Sequence, residues 1–137
     1  MKMTEIALSN IDRLQTLDLQ GAALPYGVKA ALFAATQQIQ KGSMVGAAAG
    51  ALNCEPALIG IFTGAQVPEK MPLGENDGPL GSVVLADALC QIGHSVRIYT
   101  DDAAATPIEK LLLWRGIEVE VVRIQRGEDT TLVEIGQ

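Results

Sequence analysis

Cationic side chains, aromatic rings, cysteine and histidine are all scarce in this chain, and each scarcity removes a class of function. Ten Lys and Arg stand against sixteen Asp and Glu, for a formal net charge of −6 at pH 7. Phosphate backbones are held by clustered Lys and Arg, so nucleic acid is disfavoured as a partner. An anionic membrane surface is disfavoured for the same reason. Aromatic residues make up 4% of the chain, too few for base-stacking platforms. Only two cysteines occur, Cys54 and Cys90, without CxxC spacing. They form neither a metal site nor a disulfide framework, and they read as free, packed thiols in a reducing compartment. The single histidine, His94, has no Ser-His-Asp or Cys-His company; it follows a helix-ending Gly93 and is expected to face that helix C-terminus. The N-terminal MKMTEIALSNIDRL is charged throughout and lacks the apolar core of a signal peptide. No apolar run is long enough to span a bilayer. The expected localisation is cytoplasmic.

What is present is a globular composition, 48% hydrophobic and 19% charged over 137 residues, the size of one domain. The first part reads as helical, about residues 1–55. Apolar residues at helical spacing (Ile6, Ile11, Leu14 and Leu17 or Leu8) predict a helix over 4–18, with Thr4 as a possible cap. A break is expected at Gly21. A second helix is predicted over 26–40, with Val28, Leu32, Ala35 and Ile39 on one side and Gly42 as its end. Ser43 can cap the Ala/Gly-rich stretch that follows. Gly46 and Gly50 weaken a helix there by about 1 kcal/mol each, and their GxxxG spacing reads as tight packing.

From about residue 56 to 137 the pattern changes to strand and helix in alternation. Residues 57–63 are apolar on both faces, as a buried parallel strand is. A helix is predicted over 79–92, with Leu80, Val84, Ala88 and Ile92 on its apolar stripe. A strand at 95–100 follows. Thr106-Pro107-Ile108-Glu109 has the form of a capping box with Pro at the first helical position, predicting a helix from there to Arg115, closed by Gly116. Trp114 reads as core or partner surface. A third strand is expected at 118–124 and a short one at 131–135. Strand, helix, strand, helix, strand implies two crossover units. The fold class is therefore α/β: Rossmann-like and three-layered, with a small parallel sheet preceded by N-terminal helices. Such a sheet has edges that are exposed or covered by a partner.

Ligands in open α/β sheets bind beyond the C-terminal ends of the strands. The long loop after Thr63-Gly64 leaves a strand at that end and feeds a helix opening at Pro79, whose free N–H groups attract anions. It holds Glu75 and Asp77; Pro68, Pro72, Gly74, Gly78 and Pro79 shape its backbone. Carboxylates at this spacing can bind a cation, hold an amine or move a proton. They can equally serve helix N-terminal electrostatics, with Asp77 as the cap. Thr63 and Gly64 offer a hydroxyl and a bare backbone N–H at the strand end, or simply a turn. Gly81 permits close approach of a ligand or strand. Asp101 and Asp102 end the second strand; they can hold an amine or a metal, or serve as turn residues before a helix. Neither GxGxxG nor a P-loop is present, so NAD and ATP are disfavoured.

The series IGIFTGAQVP, GENDGPLG and ADALCQIGHSVRIYTDD resembles the D-glutamate cyclase family, which reads as a strand ending in TG, a proline loop, G-E-T-D-G-P-x-G, a helix, and a strand ending in TD. Asn76 stands where the family has Thr, and Leu80 where a second Pro is common. The upstream LDLQG resembles the family's LDLRG, with Gln20 replacing Arg. The resemblance covers nearly the whole chain and is to the N-terminal half of the glutamate cyclase-like domain. Its members are about twice as long, which implies a second subunit supplying a C-terminal half, or a homo-oligomer. It implies interconversion of a glutamate-type amino acid and its lactam, 5-oxoproline, by loss or addition of water; a non-catalytic small-molecule-binding or regulatory subunit is the alternative. The site residues it implies are Glu75 and Asp77 for catalysis, and Thr63, Gly64, Asn76, Gly78, Gly81 and Asp101 for the substrate. A divalent cation, Mg²⁺ or Mn²⁺, suits the carboxylates; no cofactor is required.

Overall fold

The computed structural model describes residues 3–17, 25–67, 69–72 and 74–124. The expected break at Gly21, the LDLQG resemblance beyond Leu17, Pro68 in the loop and the strand at 131–135 lie outside them. The chain divides into two compact units, Met1–Cys54 and Glu55–Gln137.

The first unit holds helices α1 (Met3–Gln15), α2 (Val28–Ile39) and α3 (Met44–Leu52). Helix α1 begins one residue before Thr4, which therefore is not its cap. Ser43 caps α3 as its sequence position predicts, its Oγ accepting from Gly46 N at 2.9 Å. Asp12 of α1 is buried and completes that end of α3: its Oδ2 accepts from Met44 N at 3.0 Å and its Oδ1 from Val45 N at 2.9 Å. These bonds satisfy N–H groups that a helix start leaves without partners. A side chain at Gly46 would meet Leu8 Cδ1 at 3.1 Å, so this glycine is where α1 packs closely on α3; Gly50 faces open space. The expected apolar stripes are not this unit's interior. Ile6, Ile11, Leu14, Leu32 and Ile39 are exposed.

The second unit is a parallel sheet of three strands in the order β1-β2-β3, with β1 at Leu58–Phe62, β2 at Ser95–Thr100 and β3 at Glu120–Arg123. Helix α4 (Asp77–Gln91) links β1 to β2, and α5 (Asp102–Arg115) links β2 to β3. This is the α/β class with a small parallel sheet. The helices pack against one another and on the sheet. The register places Ile59 beside Val96, and Ile61 beside Ile98, which in turn pairs with Val121. Val96 and Ile98 are buried, and this row faces the helices. Their neighbours Leu58, Gly60 and Phe62 look the other way. Strand β1 is accordingly not buried on both faces as expected: Leu58 is 60% and Phe62 58% exposed. It is an edge strand, and side chains alternate between faces. Phe62 stacks on Tyr99 with ring centroids 4.7 Å apart.

Three further expectations need correction. Helix α4 buries Pro79, Ser82, Val83, Ala86 and Leu89, whereas Leu80, Val84, Ala88 and Ile92 are exposed. Nearly every position of α4 is apolar or small, so periodicity does not single out a face; the small Ser82 and Ala86 lie on the face that packs. Helix α5 starts at Asp102, not at Thr106-Pro107. Asp101 is its cap, with Oδ1 accepting from Ala104 N at 3.0 Å, and three alanines extend the helix ahead of Pro107, which lies inside it. Cys54 is exposed in the bend after α3, and Cys90 is half-buried; both are free. The helix ends read correctly: Gly93 (φ 97) and Gly116 (φ 68) take the left-handed conformation that closes α4 and α5.

Candidate functional site

The C-terminal ends of β1 and β2 and the start of α4 meet around Gly64. Thr63 N donates to Tyr99 O at 3.0 Å, and Ile124 N to Thr100 O at 2.8 Å, so the sheet remains bonded to its very end. Beyond it the chain turns at Gly64, with φ 99, a conformation that only glycine takes readily. A methyl group at Gly64 would lie 2.8 Å from Thr100 Oγ1 and 2.8 Å from Asp101 Oδ2. A methyl at Gly78, in the first turn of α4, would lie 2.7 Å from Thr63 Oγ1 and 3.8 Å from Gly64 N. Both glycines are therefore required by close approach, and four predicted site residues (Thr63, Gly64, Gly78 and Asp101) are brought together here.

The others are placed less tightly. Glu75, Asn76 and Asp77 are exposed. Asn76 is the residue before α4 but its side chain makes no cap; instead Asp77 Oδ1 accepts from Gly78 N at 3.0 Å. Asp77 thus adds negative charge in the first turn, which favours the helix dipole. Gly81 faces open space, with no described atom within 4 Å of a side chain built on it. Asp101 is fixed at both oxygens: besides capping α5, its Oδ2 accepts from Gln66 N at 3.2 Å. Among the described residues no cluster of three His, Cys, Asp or Glu side chains is disposed to hold a metal. Asp102 pairs with Arg123. His94 is buried, and its Nδ1 accepts from Ala57 N at 3.1 Å; it ties the start of β1 to the end of α4.

The loop after Gly64 has structure of its own. Val67 and Met71 form an antiparallel bridge, with Met71 N donating to Val67 O at 2.7 Å, and Gln66 Nε2 donates to Pro72 O at 2.8 Å. A local turn thus closes on itself within the loop.

Thr100 is the residue that sequence reasoning missed. It is 1% exposed, and its Oγ1 is the one buried side-chain oxygen without a hydrogen-bond partner among the described residues. A buried hydroxyl left unpaired costs about 1–3 kcal/mol. A strand-ending threonine between Tyr99 and Asp101 carries no sequence signal of that kind. It lines a cavity of about 230 Å³ with Thr63, Gly64, Gln66 and Asp101. Drug-sized ligands take about 300–1,000 Å³, so this space suits a molecule of amino-acid size. The helical unit has a larger cavity, about 760 Å³, between Leu8, Arg13, Phe33 and Lys41. Among the described residues it contains no unpaired buried side-chain oxygen, and none of the predicted site residues lines it, so the strand-end crevice is the stronger candidate.

A three-stranded parallel sheet whose strands are linked by helices defines an α/β protein. The chain belongs to the D-glutamate cyclase-like, C-terminal family, whose model matches residues 25–135. The family is the one its motifs resemble, but the matched model is the C-terminal one, which corrects the assignment to an N-terminal half. The residues that carry the resemblance lie mostly on one strand-loop-helix-strand unit, and such a unit does not reveal which part of a longer domain it occupies. No curated protein and no solved structure matches the chain. Among the described residues no helix is long and apolar enough to cross a membrane.

Proposed function

We propose that this chain acts on a glutamate-type amino acid and its lactam, 5-oxoproline, interconverting them by loss or addition of water in the crevice at Gly64. The observation that carries the reading is the convergence of Thr63, Gly64, Gly78 and Asp101 at the strand ends, in a member of the D-glutamate cyclase-like family. In the forward direction the substrate amine loses a proton and attacks the γ-carboxyl carbon. The C–N bond forms, the C–O bond breaks, and the departing oxygen leaves as water. The amine needs a base, and the exposed Glu75 or Asp77 is assigned that role or the anchoring of the ammonium. The developing oxyanion needs donors; the first turn of α4 and the Thr63 hydroxyl supply them. Asp101, held by Ala104 N and Gln66 N, is a fixed acceptor for the substrate nitrogen. Holding amine and acyl carbon together supplies much of the acceleration.

A second reading is favoured by one observation. Asp77 Oδ1 is engaged by Gly78 N, and both carboxylates stand in solvent, as suits a binding or regulatory subunit completed by another chain. One experiment separates the two. The purified protein is incubated with D-glutamate or 5-oxo-D-proline, and products are followed by NMR. Turnover that Asp77→Asn abolishes with the fold intact supports the enzyme; a fully active Asp77→Asn protein refutes the assignment. Saturable binding without turnover supports the second reading.

A further inference from the structure

We infer that the Thr100 hydroxyl and the Asp101 carboxylate form a paired subsite for the cis-amide edge of a lactam, with Gly64 left bare so that this edge can reach them. The inference rests on the reading of the crevice as a 5-oxoproline site and names the groups that hold its ring.

Both oxygens lie 2.8 Å from the same point, the position a Gly64 side chain would occupy. They are therefore no further apart than twice that distance. One is a hydroxyl with its hydrogen uncommitted, since Thr100 Oγ1 has no partner among the described residues. The other is a carboxylate oxygen that accepts one bond, from Gln66 N, and keeps a second lone pair. A donor beside an acceptor is complementary to an acceptor beside a donor. A five-membered lactam holds its amide cis, so its C=O and N–H lie on one edge. Thr100 Oγ1–H donates to the ring carbonyl, and Asp101 Oδ2 accepts from the ring N–H. Open-chain glutamate has no such edge, and proline lacks the carbonyl. The arrangement thus recognises the ring form by hydrogen bonding, which discriminates far more sharply than apolar fit does.

The main chain of this subsite is rigid. Thr100 O is bonded to Ile124 N, and Asp101 is bonded at both oxygens. The turn at Gly64 lies over the hydroxyl. A ligand must shift that turn to reach Thr100, and a residue at φ 99 without a side chain is the one best able to yield.

The test is calorimetric titration of the full chain with 5-oxo-D-proline, D-proline and D-glutamate. Wild type is expected to bind 5-oxo-D-proline at least about tenfold more tightly than D-proline. Thr100→Val is nearly isosteric and is expected to remove that preference while leaving the melting temperature unchanged or raised. Thr100→Ser, which keeps the hydroxyl, is expected to retain the preference. A Thr100→Val protein that keeps its preference for 5-oxo-D-proline overturns the inference and leaves the proposed function standing. So does one that melts several degrees lower, because the hydroxyl is then satisfied within the fold. If wild type binds neither 5-oxo-D-proline nor D-glutamate, the proposed function itself falls, and the inference with it.

Discussion

Replacing Gly64 by alanine tests whether the strand-end crevice is built as described. Two effects add. The backbone is at φ 99, outside the left-handed well that other residues tolerate, and left-handed backbone alone costs about 1–2 kcal/mol for a residue with a side chain. The new methyl would also lie 2.8 Å from each of two oxygens, Thr100 Oγ1 and Asp101 Oδ2. Overpacking of that kind typically costs about 1–3 kcal/mol. The expected loss is about 2–5 kcal/mol, a large share of a small domain's stability. For a unit of this size that is a fall in melting temperature of about 10 °C or more. Urea unfolding followed by circular dichroism measures it, and hydrogen exchange of the β2 amides localises it. The double variant Gly64→Ala/Thr100→Ala separates the terms. It removes one overlapping oxygen and leaves the backbone strain, so the pair is expected to couple favourably by about 1 kcal/mol. A Gly64→Ala protein within about 0.5 kcal/mol of wild type would refute the close approach, and with it the site's geometry.

Other consequences are equally specific. Gly78→Ala gains up to about 1 kcal/mol of helix propensity, but its methyl would lie 2.7 Å from Thr63 Oγ1; the net change by urea unfolding is expected to be destabilising, and to become stabilising in a Thr63→Ala background. Leu112 is 4% exposed and its neighbour-but-one Trp114 79%, so Leu112→Ala is expected to cost about 2–5 kcal/mol and Trp114→Gln under about 0.5 kcal/mol. Stability is expected to hold from pH 7 down to about 5 and to decline through pH 4 and below. Asp12 lies below its ordinary 3.8 mainly through the Ser43 hydroxyl and then Val45 N, and Asp87 through Gln91 and then Arg115. A carboxyl depressed in the folded state contributes stability above its unfolded value and loses it as pH falls through the folded one. An acid titration of stability that Asp12→Asn and Asp87→Asn leave unchanged refutes this assignment.

What was legible in this sequence, and what was not, follows from where the information lies. Strand β2 and the glycines that end α4 and α5 were readable because they rest on local chemistry: β-branched alternation, and a left-handed turn that only glycine makes cheaply. The face of α4 was not readable, because a helix apolar all round leaves the choice to its neighbours, and here the sheet takes the side with Ser82 and Ala86. The start of α5 was misplaced by the opposite error. Thr106-Pro107 is a good local signal, but Asp101 five residues earlier reaches Ala104 N, and a helix already begun tolerates a proline near its first turns at the loss of one bond. The site divides along the same line. Thr63, Gly64 and Asp101 were accessible from topology, since strand ends in a parallel sheet are where ligands bind. Thr100 was not, because what distinguishes it is the absence of a partner in three dimensions. That is why the residue most diagnostic of a ligand reads in the sequence only as part of a strand ending in TD: a buried hydroxyl without a partner among the described residues calls for one beyond them, and the Thr100→Val titration asks what that is.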